Sequence, residues 1–182
     1  DVHGIFESLQ PYKSQISGNE FCVIGAGGSA RAVIYTIVKN FKPRKIYLIN
    51  RTEQHADSLK QHFKSKMKYD HIVTKELQHP DIIGLLNNCA LIVNATPVGM
   101  YPNVDDSVLS TADVFVKDQV VFDLVYNPIK TRFLQLAESK KAVSFNGLNM
   151  LVHQAAKAFN LWTGNEFPVE KVYKSLLLYS TK

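Results

Sequence analysis

Three stretches of this sequence carry residue types whose spacing can do chemistry. The first is Gly25-Ala26-Gly27-Gly28-Ser29-Ala30, within VIGAGGSARAVI. It follows a short apolar run and opens a segment of helical character. Gly25 permits a tight strand-to-helix turn, Gly27 lets backbone amides approach a diphosphate, and Ala30 is small enough for close helix–strand packing. The helix N-terminus then offers free N–H groups and the positive end of its dipole to an anion. A Gly-x-Gly-x-x-Ala turn alone is a weak signal. Here a strand before it, a helix after it and a second apolar run ending at Asn50 supply the context of a dinucleotide-binding unit.

The second stretch, Asn50-Arg51-Thr52 with His55 beyond it, bears on which dinucleotide is taken. An acid at the end of the second strand binds the ribose 2′-hydroxyl of NAD. Asn50 holds that place here, so no carboxylate repels a 2′-phosphate. Arg51 can pair with such a phosphate bidentately, and Thr52 can add a hydroxyl or backbone contact. His55 lies one helical turn past Arg51 and can face the same phosphate, as a charge that depends on pH. Asn50 can cap the following helix at the same time. The expectation is NADP over NAD.

The third group is dispersed. Asn94, Ala95, Thr96 and Tyr126 fall at the ends of apolar runs, and sites in open α/β sheets lie at the carboxyl ends of strands. Leu148, Leu151, Ala155, Phe159 and Trp162 make an apolar stripe at helical spacing, with Gly147, Met150 and Gln154 on an adjacent stripe. Gln154 can therefore face a cleft while its helix stays packed. From the residues alone, an exposed glutamine and a turn tyrosine before Asn127-Pro128 stay open as alternatives for Gln154 and Tyr126. His153 reads as a surface histidine. The six histidines show no ligand spacing, and no metal is expected.

These residues need elements to position them. Strand-like runs lie at 21–25, 45–50, 71–74, 90–95, 120–125 and 142–145. Most are continuously apolar, as parallel strands buried on both faces are. Helical stretches alternate with them at 28–40, 52–66, 81–87, 130–140 and 147–163. That order is a doubly wound α/β sheet, Rossmann-type and mainly parallel. Two helices, at 1–13 and 168–180, flank a single domain over 1–182. With 46% hydrophobic and 20% charged residues the composition is that of a globular domain, and no signal peptide or membrane-length apolar run is present. The net charge of +5 suits an anionic ligand, but the basic residues are scattered. The Lys64–Lys68 cluster reads as solvated surface, and no nucleic-acid motif is visible. Cys22 and Cys89 sit in apolar segments and read as reduced core residues, which fits a cytosolic compartment.

The stretches GAGGSARA, NRT, NATPVGM, DLVYNP and GLNMLVHQAAKAFNLWTG occur in the order found in shikimate dehydrogenases. Through almost its whole length the chain resembles their NADP-binding domain, most of all the version that ends the fungal pentafunctional arom polypeptide. The resemblance implies reduction of 3-dehydroshikimate to shikimate by NADPH, in a cleft between this domain and an N-terminal substrate domain that is absent here. The family's acid/base pair is a Lys, in that substrate domain, and an Asp, which DVHGIF matches at Asp1. The resemblance places Tyr126 and Gln154 at the substrate, Gly147 and Met150 at the nicotinamide, and Asn94 to Thr96 beside the cofactor. His55 stands where the family often has a second Arg. With Asp1 at its very start, the fragment is expected to bind NADP(H) and to turn shikimate over poorly or not at all. A quinate/shikimate dehydrogenase and a non-catalytic quinate-pathway regulatory module share these motifs and are the rival readings.

Overall fold

The computed structural model describes residues 1–180. Helix α1 (Val2–Leu9) passes through a 3-10 turn (Gln10–Tyr12) into α2 (Lys13–Ile16). Then follow β1 (Glu20–Ile24), α3 (Gly28–Phe41), β2 (Lys45–Asn50), α4 (Glu53–Met67), β3 (Ile72–Glu76) and α5 (Ile82–Asn87). After β4 (Leu91–Asn94) a long connection with a 3-10 turn (Ala112–Val114) leads to β5 (Val120–Asp123). The chain closes with α6 (Arg132–Ser139), β6 (Val143–Phe145), α7 (Leu148–Thr163) and α8 (Val169–Ser180).

The six strands form one sheet in the order β3-β2-β1-β4-β5-β6, and every pair is parallel. The inner strands β1, β4 and β5 are short and almost wholly apolar because both faces are covered, whereas the edge strand β3 ends in Thr74, Lys75 and Glu76. Alternate residues feed two cores. Phe21, Val23, Ile46 and Leu48 face Ile5 of α1, Ile34 and Ile37 of α3 and Phe63 of α4. Cys22, Ile24, Ile49 and Ile92 face Leu86 of α5 and Phe133 and Leu134 of α6. Both cysteines are free and buried, and burial pushes both thiols up, Cys89 to about 12. Among the described residues no helix is long and apolar enough to cross a membrane.

The strand order reverses between β1 and β4, which makes the carboxyl edge there the switch point of the sheet. The register aligns that edge: Ile24 pairs with Ile49 on one side and Asn94 on the other, and Asn94 pairs with Asp123. Four strand ends are thus level, and the loops leaving them face one another.

Two expectations change. The N-terminal helix is not continuous over 1–13, because Pro11 sits in the 3-10 turn and its ring and missing N–H break the helical ladder. The stripe expected on α7 is only half buried. Leu148 and Val152 are buried, whereas Ala155 is exposed and Trp162 is 84% exposed. The cause is docking geometry. Contacts run from Asn149 to Ser8, from Met150 to Gly4 and from His153 to His3, so α1 lies antiparallel against the first half of α7. The second half projects past α1, and α8 runs back beside Asn149 and His153.

Candidate functional site

The phosphate turn is built by backbone. Gly25 takes φ +108°, and its N–H donates to the Ile49 carbonyl at 2.8 Å, so β1 ends there still tied to β2. A side chain at Gly25 would be strained by that φ and would come within 2.9 Å of the Ala95 carbonyl oxygen. Gly27 is the N-cap of α3, and Arg31 N–H closes the first turn on its carbonyl at 3.0 Å. No side chain caps this helix end, so its first N–H groups remain available. Nothing lies within 4 Å of the Cβ positions of Gly27 or Gly28. The turn is an open cradle, with Ser29 exposed, Ala26 half-buried and Ala30 packed in the core. A diphosphate fits it by geometry and by dipole.

At the end of β2, Asn50 Nδ2 donates to the Thr52 carbonyl at 2.8 Å and folds the chain into α4. Thr52 is the N-cap of α4 and its hydroxyl makes no cap bond. Arg51 is exposed and lines a cleft of about 450 Å³ together with Gly25, Asn50, Leu77, Thr96 and Val108. His55 is exposed on the first turn of α4, its N–H donating to the Thr52 carbonyl at 3.2 Å. Arg51 and Asn50 thus line one end of an apolar slot, with Thr52 and exposed His55 on the turn that follows, an arrangement that suits a phosphorylated ribose with its base.

A second, smaller cleft of about 210 Å³ opens on the other side of Thr96. It is lined by Ser29, Ala95, Thr96, Leu124, Val125 and Tyr126. The tyrosine is 44% exposed. The two clefts share Thr96 and Pro97 and flank the phosphate turn, as the two halves of a dinucleotide would.

Under Thr96 lies a buried polar network that the motifs did not single out. Asn94 Nδ2 donates to Asp123 Oδ1 at 2.9 Å, and Asn94 Oδ1 accepts from the Thr96 N–H at 3.1 Å and its hydroxyl at 2.7 Å. Asp123 Oδ1 also accepts from Val125 N–H at 3.1 Å, and Oδ2 accepts from the Thr131 hydroxyl at 2.6 Å. Thr131 is in turn the N-cap of α6, accepting from Leu134 N–H at 3.3 Å. Burial raises the Asp123 carboxyl to about 6, against the three hydrogen bonds, which favour its ionised form. Asn94 is wholly buried. Its side chain is occupied within this network, and it holds Thr96 in place rather than facing either cleft. The sequence signal for Asp123 was an acid inside the apolar run VVFDLV.

The remaining expected residues lie to one side. Gly147 is buried, and its N–H donates to the Val125 carbonyl at 3.1 Å. A Cβ there would collide with the Leu124 carbonyl, so glycine is what brings α7 against the floor of the smaller cleft. Met150 packs toward Gly4 and the core. Gln154 is half-buried on α7, and the antiparallel docking of α1 carries exposed Asp1 toward the same part of that helix. Asp1, Met150 and Gln154 line neither cleft. His153 is not the surface histidine expected: it is half-buried, its ring 6.3 Å from that of His3, because α1 packs over it. Among the described residues no group of three His, Cys, Asp or Glu side chains could hold a metal ion.

An all-parallel sheet of this order, with an uncapped glycine turn at its switch point, defines a Rossmann-type domain of the dinucleotide-binding class. The family "Shikimate / quinate 5-dehydrogenase" matches residues 7–124, and "Shikimate 5'-dehydrogenase C-terminal domain" matches 147–177. The chain belongs to the shikimate/quinate dehydrogenase family. It is 42% identical over 160 residues to the shikimate dehydrogenase (NADP(+)) of Methanopyrus kandleri, covering 88% of this chain and 54% of that protein. A shikimate dehydrogenase solved with NADP+ superposes with a TM-score of 0.86 at 32% identity, over 100% of this chain and 62% of the other. A Corynebacterium glutamicum quinate dehydrogenase solved with NAD gives 0.85 at 27%, over 97% and 61%. The chain spans less than two thirds of the length of these relatives.

Proposed function

We propose that residues 1–182 are the NADP-binding domain of a shikimate dehydrogenase, supplying the cofactor site and one wall of the substrate cleft. The observation that carries this is Arg51 in the lining of the 450 Å³ cleft, with Asn50 beside it where an NAD enzyme has an acid and Thr52 and His55 following in the chain. Bound there, the reduced nicotinamide supplies a hydride to the ring ketone of 3-dehydroshikimate. This chain's own residues do the rest of their share. The α3 N-terminus and the Gly25–Gly28 turn hold the diphosphate, and Arg51 holds the 2′-phosphate. Ala95, Thr96 and Val125 shape the nicotinamide half. Tyr126 and Gln154 orient substrate hydroxyls, and Gly147 and Met150 border the nicotinamide. Asp1 orients the family's lysine, which gives the developing alkoxide its proton.

The relatives named above are bacterial and archaeal, so the likeness to the arom terminus rests on the sequence motifs alone. The NAD-bound quinate dehydrogenase keeps quinate as the second reading. Arg51 and the absence of an acid at position 50 favour NADP and the shikimate branch over it.

Fluorescence titrations of the 182-residue protein with NADPH and NADH test the cofactor assignment. We expect NADPH to bind at least about tenfold tighter, a difference of about 1.4 kcal/mol, and Arg51→Ala to erase the gap. Equal affinities for the two would refute it. Comparing the affinities of the NADP-loaded protein for shikimate and for quinate separates the two substrate readings.

A further inference from the structure

We propose that Asp123 is a positioning residue for the nicotinamide half of the site, its carboxylate clamping the β4 and β5 loops at the separation the smaller cleft requires. The proposal rests on the dinucleotide reading above. No cleft-lining role is open to Asp123, which is fully buried at the end of β5. Its carboxylate accepts three hydrogen bonds, each from a different segment. Oδ1 takes Asn94 Nδ2 from β4 and Val125 N–H from its own loop, at 2.9 and 3.1 Å. Oδ2 takes the Thr131 hydroxyl at 2.6 Å.

Each of these partners leads to a cleft wall. Asn94 passes the constraint to Thr96 through two hydrogen bonds, and Thr96 passes it to Val98 N–H at 3.3 Å. Val125 N–H fixes the residue before Tyr126, and the Val125 carbonyl receives the N–H of Gly147. Thr131 fixes where α6 begins, and so closes the loop Leu124–Lys130 from its far end. Walls of the 210 Å³ cleft on β4 and on β5 therefore meet at a single carboxylate. Backbone ladder bonds end at the strand tips: Leu124 N–H to the Asn94 carbonyl, at 3.0 Å, is the last one between these strands. Just beyond it, the side chains of Asn94, Asp123 and Thr131 set the spacing of the loops, which are joined again further out by one backbone bond, Tyr101 N–H to the Asn127 carbonyl at 3.0 Å.

A buried acid in this place costs desolvation free energy that an apolar residue would not. A purely structural role would be met as well by a well-packed apolar side chain. An anion can accept from three donors on three segments at once, and no neutral side chain of this size does so.

The test uses Asp123→Asn and Thr131→Val, with Thr131→Ser as the conservative partner. Each is titrated with NADPH and with adenosine 2′,5′-bisphosphate, a probe of the adenosine half alone, and its Tm is recorded. Asparagine keeps an acceptor for Asn94 and Val125 but presents an amine to Thr131, and valine removes that hydroxyl altogether. Expected is about tenfold weaker NADPH binding in D123N and T131V, with the bisphosphate within about threefold of the parent, and T131S, which keeps the hydroxyl, binding both ligands as the parent does. Equal losses for the two ligands, or no loss in folded variants, would overturn the clamp while leaving the cofactor reading intact. A parent protein that binds neither ligand would overturn both. If T131V unfolds, D123N against T131S decides by the same ratio.

Discussion

Replacing Asp123 by asparagine gives a stability signature whose sign and size follow from the structure. Burial raises the Asp123 carboxyl to about 6 from an ordinary value of 3.8. The folded state therefore holds this proton more tightly than the unfolded chain does. Stability from the neutral acid is fully present below about pH 3.8 and is lost as pH rises through about 6. A difference of about two units corresponds to about 3 kcal/mol, of which about 2 kcal/mol falls between pH 4.5 and 7.5. Asparagine carries no charge at any of these pH values. It also misdirects an amine at Thr131 Oγ1, which already accepts from Leu134 N–H, a cost of about 1 kcal/mol that does not depend on pH. Urea unfolding of both proteins, followed by circular dichroism at several pH values across this range, measures the difference. At pH 4.5 the variant is expected to match the parent or fall slightly below it. By pH 7.5 it is expected to have gained about 2 kcal/mol relative to the parent. Parallel stability curves would refute the reasoning, because they would mean the Asp123 carboxylate is solvated or paired well enough to ionise without penalty.

Other perturbations act on separate parts of the molecule. His55→Arg puts a permanent cation one helical turn from Arg51, so NADP preference over NAD is expected to rise severalfold; dissociation constants for both cofactors check it, and an unchanged preference would leave Arg51 as the sole selector. Gly4→Ala puts a Cβ into the Met150 carbonyl, so α1 must lift from α7 at a cost of about 1–3 kcal/mol in urea unfolding. Gly27→Ala meets no protein atom within 4 Å, so Tm is expected to hold within a few degrees while NADPH binding falls, as the methyl occupies space the diphosphate needs.

Much of the fold was legible because its signals are local. Continuous apolar runs mark strands covered on both faces, and the six runs coincide with β1 to β6 to within a residue or two. The boundaries moved where backbone geometry intervened, as at Gly25, whose positive φ ends β1 at Ile24. The apolar stripe of α7 misled for a different reason. Periodicity reports which face of a helix is apolar, not how much of that face finds a partner. Here α1 covers only the first half, leaving Leu161 70% and Trp162 84% exposed.

The site divides the same way. Gly25 to Ala30 and Asn50 to Thr52 were legible as candidates because the signal is carried by a few consecutive residues at a strand end, and the structure sets Gly25, Asn50 and Arg51 around one cleft. Asn94 was legible as a position but not as a role. Its placement beside Thr96 suggested a direct contact, and only the pairing of β4 with β5 shows its amide turned inward to Asp123. The network Asn94–Asp123–Thr131 joins residues on three segments, and no spacing rule along the chain connects them. What sequence did offer was an anomaly: a carboxylate in an apolar run, at a strand end level with the phosphate turn. In a buried parallel sheet such a residue must either be satisfied by donors from the neighbouring strand and loops or be excluded. Asp123 is satisfied by all three of its neighbours; Val125 itself bounds the smaller cleft and Asn94 holds Thr96, which does too, and this ties the cost of its burial to the geometry of the site.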